Sequence, residues 1–363
     1  MAIKKRYHTN KKGQKIASWG YDFYDIFGKR HQKSGFKTKP DAEKAQSEDM
    51  QNSNAGANSS KNVNIKFKDI VEKFIALYVE INLKPSTIRS YHDHYRLHIK
   101  DFFLDIKLVE INTMILLRFI KAKKKEGLSN KTINNILTTI GTIFNWAIEN
   151  GYTNYNPAQR VKKLKVENLE MNFLTSSEIT AVLEYTQMNY PDFYPLLLTA
   201  IYSGMRRGEI LALTWDCVNF KECKIKVRKT LYKGQFLTPK TKNSIRDIRV
   251  PQKIIEVLKL HKSMQEFENP LNLVFSQENG KPIDADNMVK RRFNKVLKGA
   301  NVTQIRFHDL RHTYASLLLA KDMNIKYIQK QMGHANFEIT MNTYAHLMPE
   351  VYISSEDKIN DLI

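Results

Sequence analysis

Residues 307–319 read FHDLRHTYASLLL and have the spacing of an amphipathic helix. His308 and Arg311 stand at i and i+3, so we expect both side chains on one face of that helix. The apolar residues make a separate stripe that faces a core: Leu310, Tyr314, Leu317 and Leu318. The stretch therefore predicts a helix that is anchored in a core and presents a basic face at its start.

A second stretch, QMGHANFEITMNTYAHL, ends at Leu347 and carries His334 after a glycine and Tyr344 ten positions later. About a hundred residues upstream, SGMRRGEILAL places Arg206 and Glu209 at the start of another apolar helix. Glu209 is best interpreted as a structural residue that orients Arg206. Two arginines, two histidines and a tyrosine on separate helix starts predict a site where a phenol attacks an anion.

The charge of the chain indicates which anion. The 363 residues carry 58 Lys and Arg against 37 Asp and Glu, a formal net charge of +21, which favours nucleic acid as the partner and leaves a membrane surface as the alternative. No apolar run of about 18 residues and no signal peptide is evident, so we expect a cytoplasmic protein. Cys217 and Cys223 lack CxxC spacing, which indicates packing thiols.

The first 40 residues predict a basic DNA-binding domain, with bounds 1–55. They hold eleven Lys and Arg and two acids, and the alternation of Trp19, Tyr21 and Phe23 is typical of a strand. Two or three antiparallel strands are expected, followed by a helix from Thr38 to about Met50. The polar segment 51–62 reads as a flexible linker.

Residues 64–155 predict a four-helix bundle. Its helices begin near Phe67, Pro85, Asn112 and Ser129. From this segment alone, a dimerisation module stays open as an alternative. Residues 158–172 read as a second linker.

Residues 173–363 predict a mainly helical third domain with a small sheet. It opens with a capping box at Thr175 and has strand-like pieces at 225–228 and 245–250. The fold class is therefore α+β multidomain: a small N-terminal sheet plus helix, a helical bundle, and a mainly α domain with a small sheet.

The chemistry of a phosphodiester matches the candidate residues. Arginine forks bind two phosphate oxygens at once, which assigns Arg206 and Arg311 to a clamp. Tyr344 is the candidate nucleophile. A tyrosine has a pKa of about 10, so it needs a base or a positive field nearby, which the arginines and histidines would supply. His308 and His334 handle protons or donate to phosphate, and Lys240 on a loop protonates the leaving oxygen. Whether Lys242 takes that last role instead stays open.

No competing phosphoryl-transfer motif is evident in the sequence. A GxxxxGK[ST] loop is absent, and so is an acidic cluster suited to two-metal nuclease chemistry. We therefore expect neither a cofactor nor a metal ion.

Together these residues resemble the tyrosine recombinases of the lambda-integrase class. The resemblance rests on Arg206 in SGMRRGE, Lys240 in TPKTKNSIRDIRV, His308-x-x-Arg311, Gly333-His334 and Tyr344-Ala-His. The resemblance extends to the bundle as a core-binding domain and to the basic sheet as an arm-binding domain. It is weakened only by minor departures such as Met332, where the family often has leucine.

The resemblance implies an integrase of a phage or integrative element. In the cytoplasm of a bacterial host, Tyr344 would form a 3′-phosphotyrosyl bond with double-stranded DNA and free a 5′-hydroxyl. The 5′-hydroxyl of the partner strand would then reverse the reaction. It further implies core and arm attachment sites and a homotetramer on DNA, with an excisionase and a host DNA-bending protein as further partners. A chromosome-dimer resolvase, a silent DNA-binding regulator and a type IB topoisomerase are the alternatives.

The expected DNA contacts combine the basic and aromatic residues of the first domain with basic residues elsewhere. They are Lys4, Lys5, Arg6, Lys11, Lys12, Trp19, Tyr21, Arg30, Lys33, Lys123, Lys124, Lys125, Arg207 and Lys242.

Overall fold

The computed structural model describes residues 2–9, 15–24, 30–58, 64–166, 172–239, 242–266 and 268–333. Within these ranges, the side chains of residues 2, 6–9, 15, 16, 51–58 and 242 are not described. The chain divides into two compact units, Met1–Asn168 and Leu169–Ile363, which are taken separately below.

The first unit begins with an antiparallel sheet of order β1-β2-β3. Its strands are β1 (Ala2–Thr9), β2 (Lys15–Tyr24) and β3 (Arg30–Phe36). Tyr21 and Phe23 alternate along β2 and point to one buried face, where helix α1 (Lys39–Asn58) packs through Ala42. The predicted sheet plus helix is confirmed.

Helix α1 is longer than the sequence predicted. It continues to Asn58 through most of the segment read as a linker. That segment contains no proline, and Ser, Asn and a single Gly cost only about 0.5–1 kcal/mol each relative to alanine, so they do not stop a helix. The remaining linker residues, 59–63, lie outside the described residues.

The helical bundle follows, built on the four predicted helix starts. Its helices are α2 (Phe67–Phe74), which continues through a π-helical turn (Ile75–Val79) into α3 (Glu80–Asn82), α4 (Pro85–His94) with a second π-helical turn (Tyr95–Ile99), α5 (Thr113–Lys125) and α6 (Asn130–Glu149). Asn112 and Ser129 cap α5 and α6 by accepting hydrogen bonds from backbone amides. Buried phenylalanines fill the core between the helices.

The described part of the predicted second linker, residues 158–166, is held against the bundle. A short 3₁₀ turn (Pro157–Arg160) is followed by extended chain. The Asn134 side chain of α6 makes two hydrogen bonds with the backbone of Leu164. It donates to the carbonyl and accepts from the amide, each at 2.9 Å. Charged composition suggested a linker, but these side-chain hydrogen bonds hold the backbone against α6.

The second unit places helices around two small sheets. Its helices are α7 (Ser176–Asn189), α8 (Tyr194–Ser203), α9 (Arg207–Leu211), α10 (Gln252–Ser263), α11 (Ala285–Met288), α12 (Asn294–Gly299), α13 (Asp309–Leu319) and α14 (Ile325–Met332). A π-helical turn (Val289–Phe293) joins α11 to α12. Thr175 and Glu178 form the predicted capping box of α7.

Its first sheet has the order β4-β5-β8, with β4 (Val218–Asn219), β5 (Lys224–Val227) and β8 (Arg246–Arg249), and includes both predicted strands. The sequence reading missed a hairpin, β6 (Thr230–Tyr232) and β7 (Gln235–Leu237). Lys233 and Gly234 make its turn with positive φ at both positions, which is the geometry of a two-residue hairpin. Lys-Gly is a weaker sequence signal for that turn than Asn-Gly.

Helix α8 is the centre of this unit, since most of its residues are buried. It ends at Gly204, whose φ of +62° only glycine adopts readily. A Cβ at this position would lie 2.5 Å from the Tyr314 ring, so the missing side chain also lets α13 approach. Among the described residues, no helix is long and apolar enough to cross a membrane.

Candidate active site

Arg206 stands at the N-cap of α9 and is held by Glu209. Glu209 accepts from the Arg206 backbone amide at 3.0 Å and from Nη1 at 2.8 Å. The Glu209 side chain is only 2% exposed, while that of Arg206 is 37% exposed. Burial favours protonation of Glu209, but Arg246 and Arg206 outweigh it and hold the pKa of this carboxyl below its ordinary value. A buried carboxylate thus orients an arginine that still faces solvent.

Arg311, in the first turn of α13, is 3% exposed and lies among helix ends. Its Nη1 donates to the carbonyl of Gly204, which ends α8, and its Nη2 donates to the carbonyl of Met332, which ends α14. The carbonyl end of a helix carries partial negative charge, so both ends favour a cation here. Arg311 therefore links the end of α8, which Arg206 follows in the sequence, to the end of α14, which His334 follows.

His308 is the N-cap of α13, one turn before His312, and the two rings meet edge to face at 5.5 Å. Desolvation by the surrounding protein lowers the pKa of His308, and the charges of Arg311 and Arg206 lower it further. Desolvation and His308 lower the pKa of His312 to about 4. Both imidazoles are therefore neutral at neutral pH, which suits a proton acceptor.

The same i, i+4 histidine spacing is used by zinc sites, for which a third ligand is required. Within the part of the chain that the structure describes, no group of three His, Cys, Asp or Glu side chains could hold a metal ion.

The end of α14 receives three arginines on three consecutive carbonyls. Arg246 Nε donates to Gln331 at 2.7 Å, Arg311 donates to Met332, and Arg206 Nη2 donates to Gly333 at 3.4 Å. Gly333 has a φ of +64° and immediately precedes His334. The last three carbonyls before His334 therefore accept from the two arginines that the sequence assigned to the phosphate clamp and from one further arginine.

The further arginine, Arg246, was missed by sequence reasoning. It was treated only as part of a strand-like piece. The alternation of the strand did not mark it, because Ser244, Arg246 and Ile248 are buried while the apolar Ile245 is 50% exposed. Of the other predicted site residues, Lys240, His334 and Tyr344 lie outside the described residues.

Comparison with known proteins identifies the family. Sequence models of the phage integrase family and of the phage integrase N-terminal SAM-like domain match residues 172–350 and 66–136. A XerC-like tyrosine recombinase of Caldanaerobacter subterraneus is 30% identical, and the match covers 90% of each chain. The chain belongs to the phage integrase family of tyrosine recombinases.

Other relatives of this recombinase come from mobile elements. The ICEBs1 integrase of Bacillus subtilis is 31% identical, with 84% of this chain and 85% of the relative covered. A solved structure of a Tn1549 transposon integrase fragment in complex with a circular intermediate DNA has a TM-score of 0.72 at 22% identity, covering 81% of this chain and 99% of that one. The fold class is thereby confirmed, and the recombinase is a site-specific enzyme that cleaves and rejoins DNA.

Two predicted DNA contacts of the recombinase need correction. Tyr21 is fully buried and its hydroxyl donates to the Asp49 carboxylate, because the position faces α1. Lys123 is 7% exposed, and its Nζ donates to both oxygens of Glu126 at 2.9 and 3.0 Å, because it lies on the core side of α5. Each side chain instead bonds to a carboxylate of its own domain.

Other predicted contacts lie at the surface, and their role stays a prediction. Exposed side chains are those of Lys4, Lys5, Arg30, Lys33, Lys124 and Lys125. Trp19 and Arg207 are half-buried, and Arg207 pairs with Asp286 at 3.2 Å. Lys11 and Lys12 lie outside the described residues, and the side chains of Arg6 and Lys242 are not described.

The segment from α11 to α12 carries basic residues that the sequence reading did not single out. It is capped by Asp284, which accepts from the Asn287 amide at 2.7 Å, and its apolar side is buried. Its exposed side presents Lys290, Arg291, Lys295 and Lys298. A row of exposed cations on one helical segment favours contact with a polyanion.

Proposed function

We propose that the recombinase is the integrase of a phage or integrative element and that Tyr344 is its nucleophile. The observation that carries this proposal is that Arg206 and Arg311 donate to the last two carbonyls before His334, while His308 lies within the electrostatic influence of both arginines. The relatedness to the ICEBs1 integrase supports the assignment to a mobile element.

The proposed reaction divides proton and charge handling among these side chains. The Tyr344 oxygen forms a bond to phosphorus as its proton passes to neutral His308. The bond from phosphorus to the 5′ oxygen breaks, and that oxygen takes a proton from Lys240. Arg206, Arg311 and His334 stabilise the charge on the non-bridging oxygens. The product is a 3′-phosphotyrosyl bond whose energy is retained for rejoining, so the cycle needs no energy cofactor.

The three predicted domains receive separate roles in this proposal. Residues 1–55 bind arm sites, residues 64–155 bind core sites, and residues 173–363 perform strand exchange. The excess of cations in the first domain and on the α11–α12 segment supports double-stranded DNA as the partner. Assembly as a homotetramer, an excisionase, a host DNA-bending protein and a cytoplasmic location follow from the family resemblance.

A chromosome-dimer resolvase is the second candidate, favoured by the XerC-like relative. That match spans 90% of both chains, so it includes more than the second and third domains. The relative's name alone therefore does not distinguish a resolvase from an integrase. The basic sheet ahead of the bundle supports the integrase, since the resolvases resemble the second and third domains alone.

Covalent trapping tests the proposal. The full chain is mixed in EDTA with DNA that flanks its own gene, denatured and run on a gel. We expect a shifted protein–DNA band from the unaltered enzyme and from Tyr327→Phe, a matched control whose side chain is partly exposed on α14. Tyr344→Phe should give no band while retaining DNA binding. A band from Tyr344→Phe would refute the nucleophile, and salt-sensitive binding without a band from any variant on any flank would favour a DNA-binding regulator.

A further inference from the structure

Arg246 of β8 is a buried cation that the proposed reaction does not use. Its side chain is 5% exposed. Nε donates to the Gln331 carbonyl at 2.7 Å, Nη1 to the Ser244 carbonyl at 3.1 Å, and Nη2 to the Glu209 carboxylate at 3.1 Å. These acceptors belong to the end of α14, the loop before β8, and α9. Because a guanidinium is a rigid planar fork, its three bonds fix the relative positions of the three elements.

Arg246 shares two of its partners with Arg206. Glu209 gives Oε2 to Arg246 and Oε1 to Nη1 of Arg206, at 2.8 Å. Ser244 gives its carbonyl to Arg246 and its hydroxyl oxygen to Nη1 of Arg206, at 3.4 Å. The two arginines are thus held by one carboxylate and one serine, so a shift of Arg246 moves both supports of Arg206.

Arg246 also supports the chain that leaves α14. A Cβ built on Gly333 would lie 2.9 Å from Cδ of Arg246 and 2.9 Å from the Asn243 carbonyl oxygen. The glycine backbone therefore packs directly on the aliphatic part of the Arg246 side chain and on the backbone of Asn243, three residues after Lys240 in the sequence. Gly333 is the residue before His334, so this contact determines where the chain enters His334.

We propose that Arg246 is a positioning residue for strand cleavage. It fixes the position of Arg206 relative to the peptide before His334, so that Arg206 and His334 reach the same phosphate. The inference rests on the proposed roles of Arg206 and His334. Because each of its three guanidinium nitrogens already donates to a protein oxygen, Arg246 acts through these groups and does not touch DNA. Its loss therefore slows the chemical step and leaves DNA affinity unchanged.

The test compares the full-length enzyme with Arg246→Lys and Arg246→Gln. The control is Arg249→Gln, which removes an exposed arginine from the same strand. Two quantities are measured for each: the first-order rate of covalent adduct formation at saturating DNA on a nicked core site, and the Kd for intact core-site DNA. A misplacement of about 1 Å is sufficient for a loss on the order of a hundredfold in rate. We expect losses of about tenfold for Arg246→Lys and about a hundredfold for Arg246→Gln. The Kd of both Arg246 variants for core-site DNA should equal that of the unaltered enzyme. The control Arg249→Gln should retain the full rate of adduct formation.

Thermal melting of each variant separates misfolding from misplacement. Arg246→Lys keeps the positive charge that the helix end and Glu209 require, so it should fold even where Arg246→Gln does not. A folded Arg246→Lys enzyme that cleaves at the full rate would overturn the inference. So would a loss of rate that is matched by an equal loss of DNA affinity. If the unaltered enzyme forms no adduct, the proposed function itself fails.

Discussion

Replacing Glu209 with glutamine keeps the shape of the side chain and removes its charge. In the native chain the carboxylate lies between two guanidiniums, with Arg246 at 3.1 Å and Arg206 at 2.8 Å. The amide of glutamine offers one acceptor oxygen, and its NH₂ group faces donors. The change therefore leaves a buried Arg246 charge without its counter-ion.

The magnitude follows from the burial of the two pairs. Glu209 and Arg246 are 2% and 5% exposed, so their pair belongs to the class whose disruption costs about 3–5 kcal/mol. The pair with Arg206 adds less because that arginine is 37% exposed. Glutamine keeps one acceptor, so we expect the lower bound, about 3 kcal/mol, which for a unit of this size lowers Tm by about 6–12 °C.

Tryptophan fluorescence allows this unit to be observed alone. The three tryptophans are Trp19 in the N-terminal sheet, Trp146 in the bundle and Trp215 in the second unit. Replacing the first two with phenylalanine leaves Trp215 to report thermal unfolding of the second unit. Glu222→Gln, which removes an exposed partner of Lys224, is the matched control and should not change Tm.

The dependence on pH gives an independent check. Because the folded pKa of Glu209 is depressed, its carboxylate stabilises the fold above the pKa of an unfolded glutamate, about 4.3, and this stabilisation is lost as pH falls further. The Tm difference between the native enzyme and Glu209→Gln should therefore be full at pH 7 and shrink below about pH 4. A Tm difference under about 2 °C at pH 7, or one that grows on acidification, would refute the reasoning.

Arg206→Ala and Arg311→Ala should each slow adduct formation at least about a hundredfold in single-turnover assays, and near-native rates would contradict the phosphate clamp. Gly333→Ala should destabilise the second unit, because the left-handed backbone and a 2.9 Å contact with Arg246 leave no room for a methyl group; an unchanged melting curve would contradict that packing. Deleting residues 1–60 should spare cleavage of a core site and impair integration, and full integration in a plasmid assay would count against the arm-binding role. DNA affinity should fall steeply and linearly with salt on a logarithmic plot, and a flat response would refute the phosphate-based interface.

The sequence sufficed where local spacing decides the outcome. The i, i+3 relation of His308 and Arg311 placed both at the start of one helix, and the capping signals at Ser129 and Thr175 marked helix starts that the structure confirms. Glu209 was also correctly read as the residue that orients Arg206. These features depend on residues a few positions apart.

The sequence was insufficient where distant chain segments decide burial. Tyr21 and Lys123 carry groups that suit DNA, and only the packing of α1 and α5 turns them inward. The function of Arg246 depends on acceptors 37 and 85 residues away, which no local pattern indicates. Helix α1 extends to Asn58 because polar residues cost little free energy in a helix. The prediction from composition overestimated that cost and ended the helix near Met50.

The three arginines at the end of α14 have a consequence for protein synthesis. Their carbonyl acceptors lie 127, 85 and 21 residues after Arg206, Arg246 and Arg311, so all three arginines leave the ribosome before the end of α14 does. Until it docks, each of the three guanidiniums lacks one of its carbonyl acceptors. At about 5–20 residues per second, the nascent enzyme therefore spends several seconds with these three arginines unassembled. An enzyme built in this order cannot assemble its three arginines on α14 until residue 333 has been synthesised.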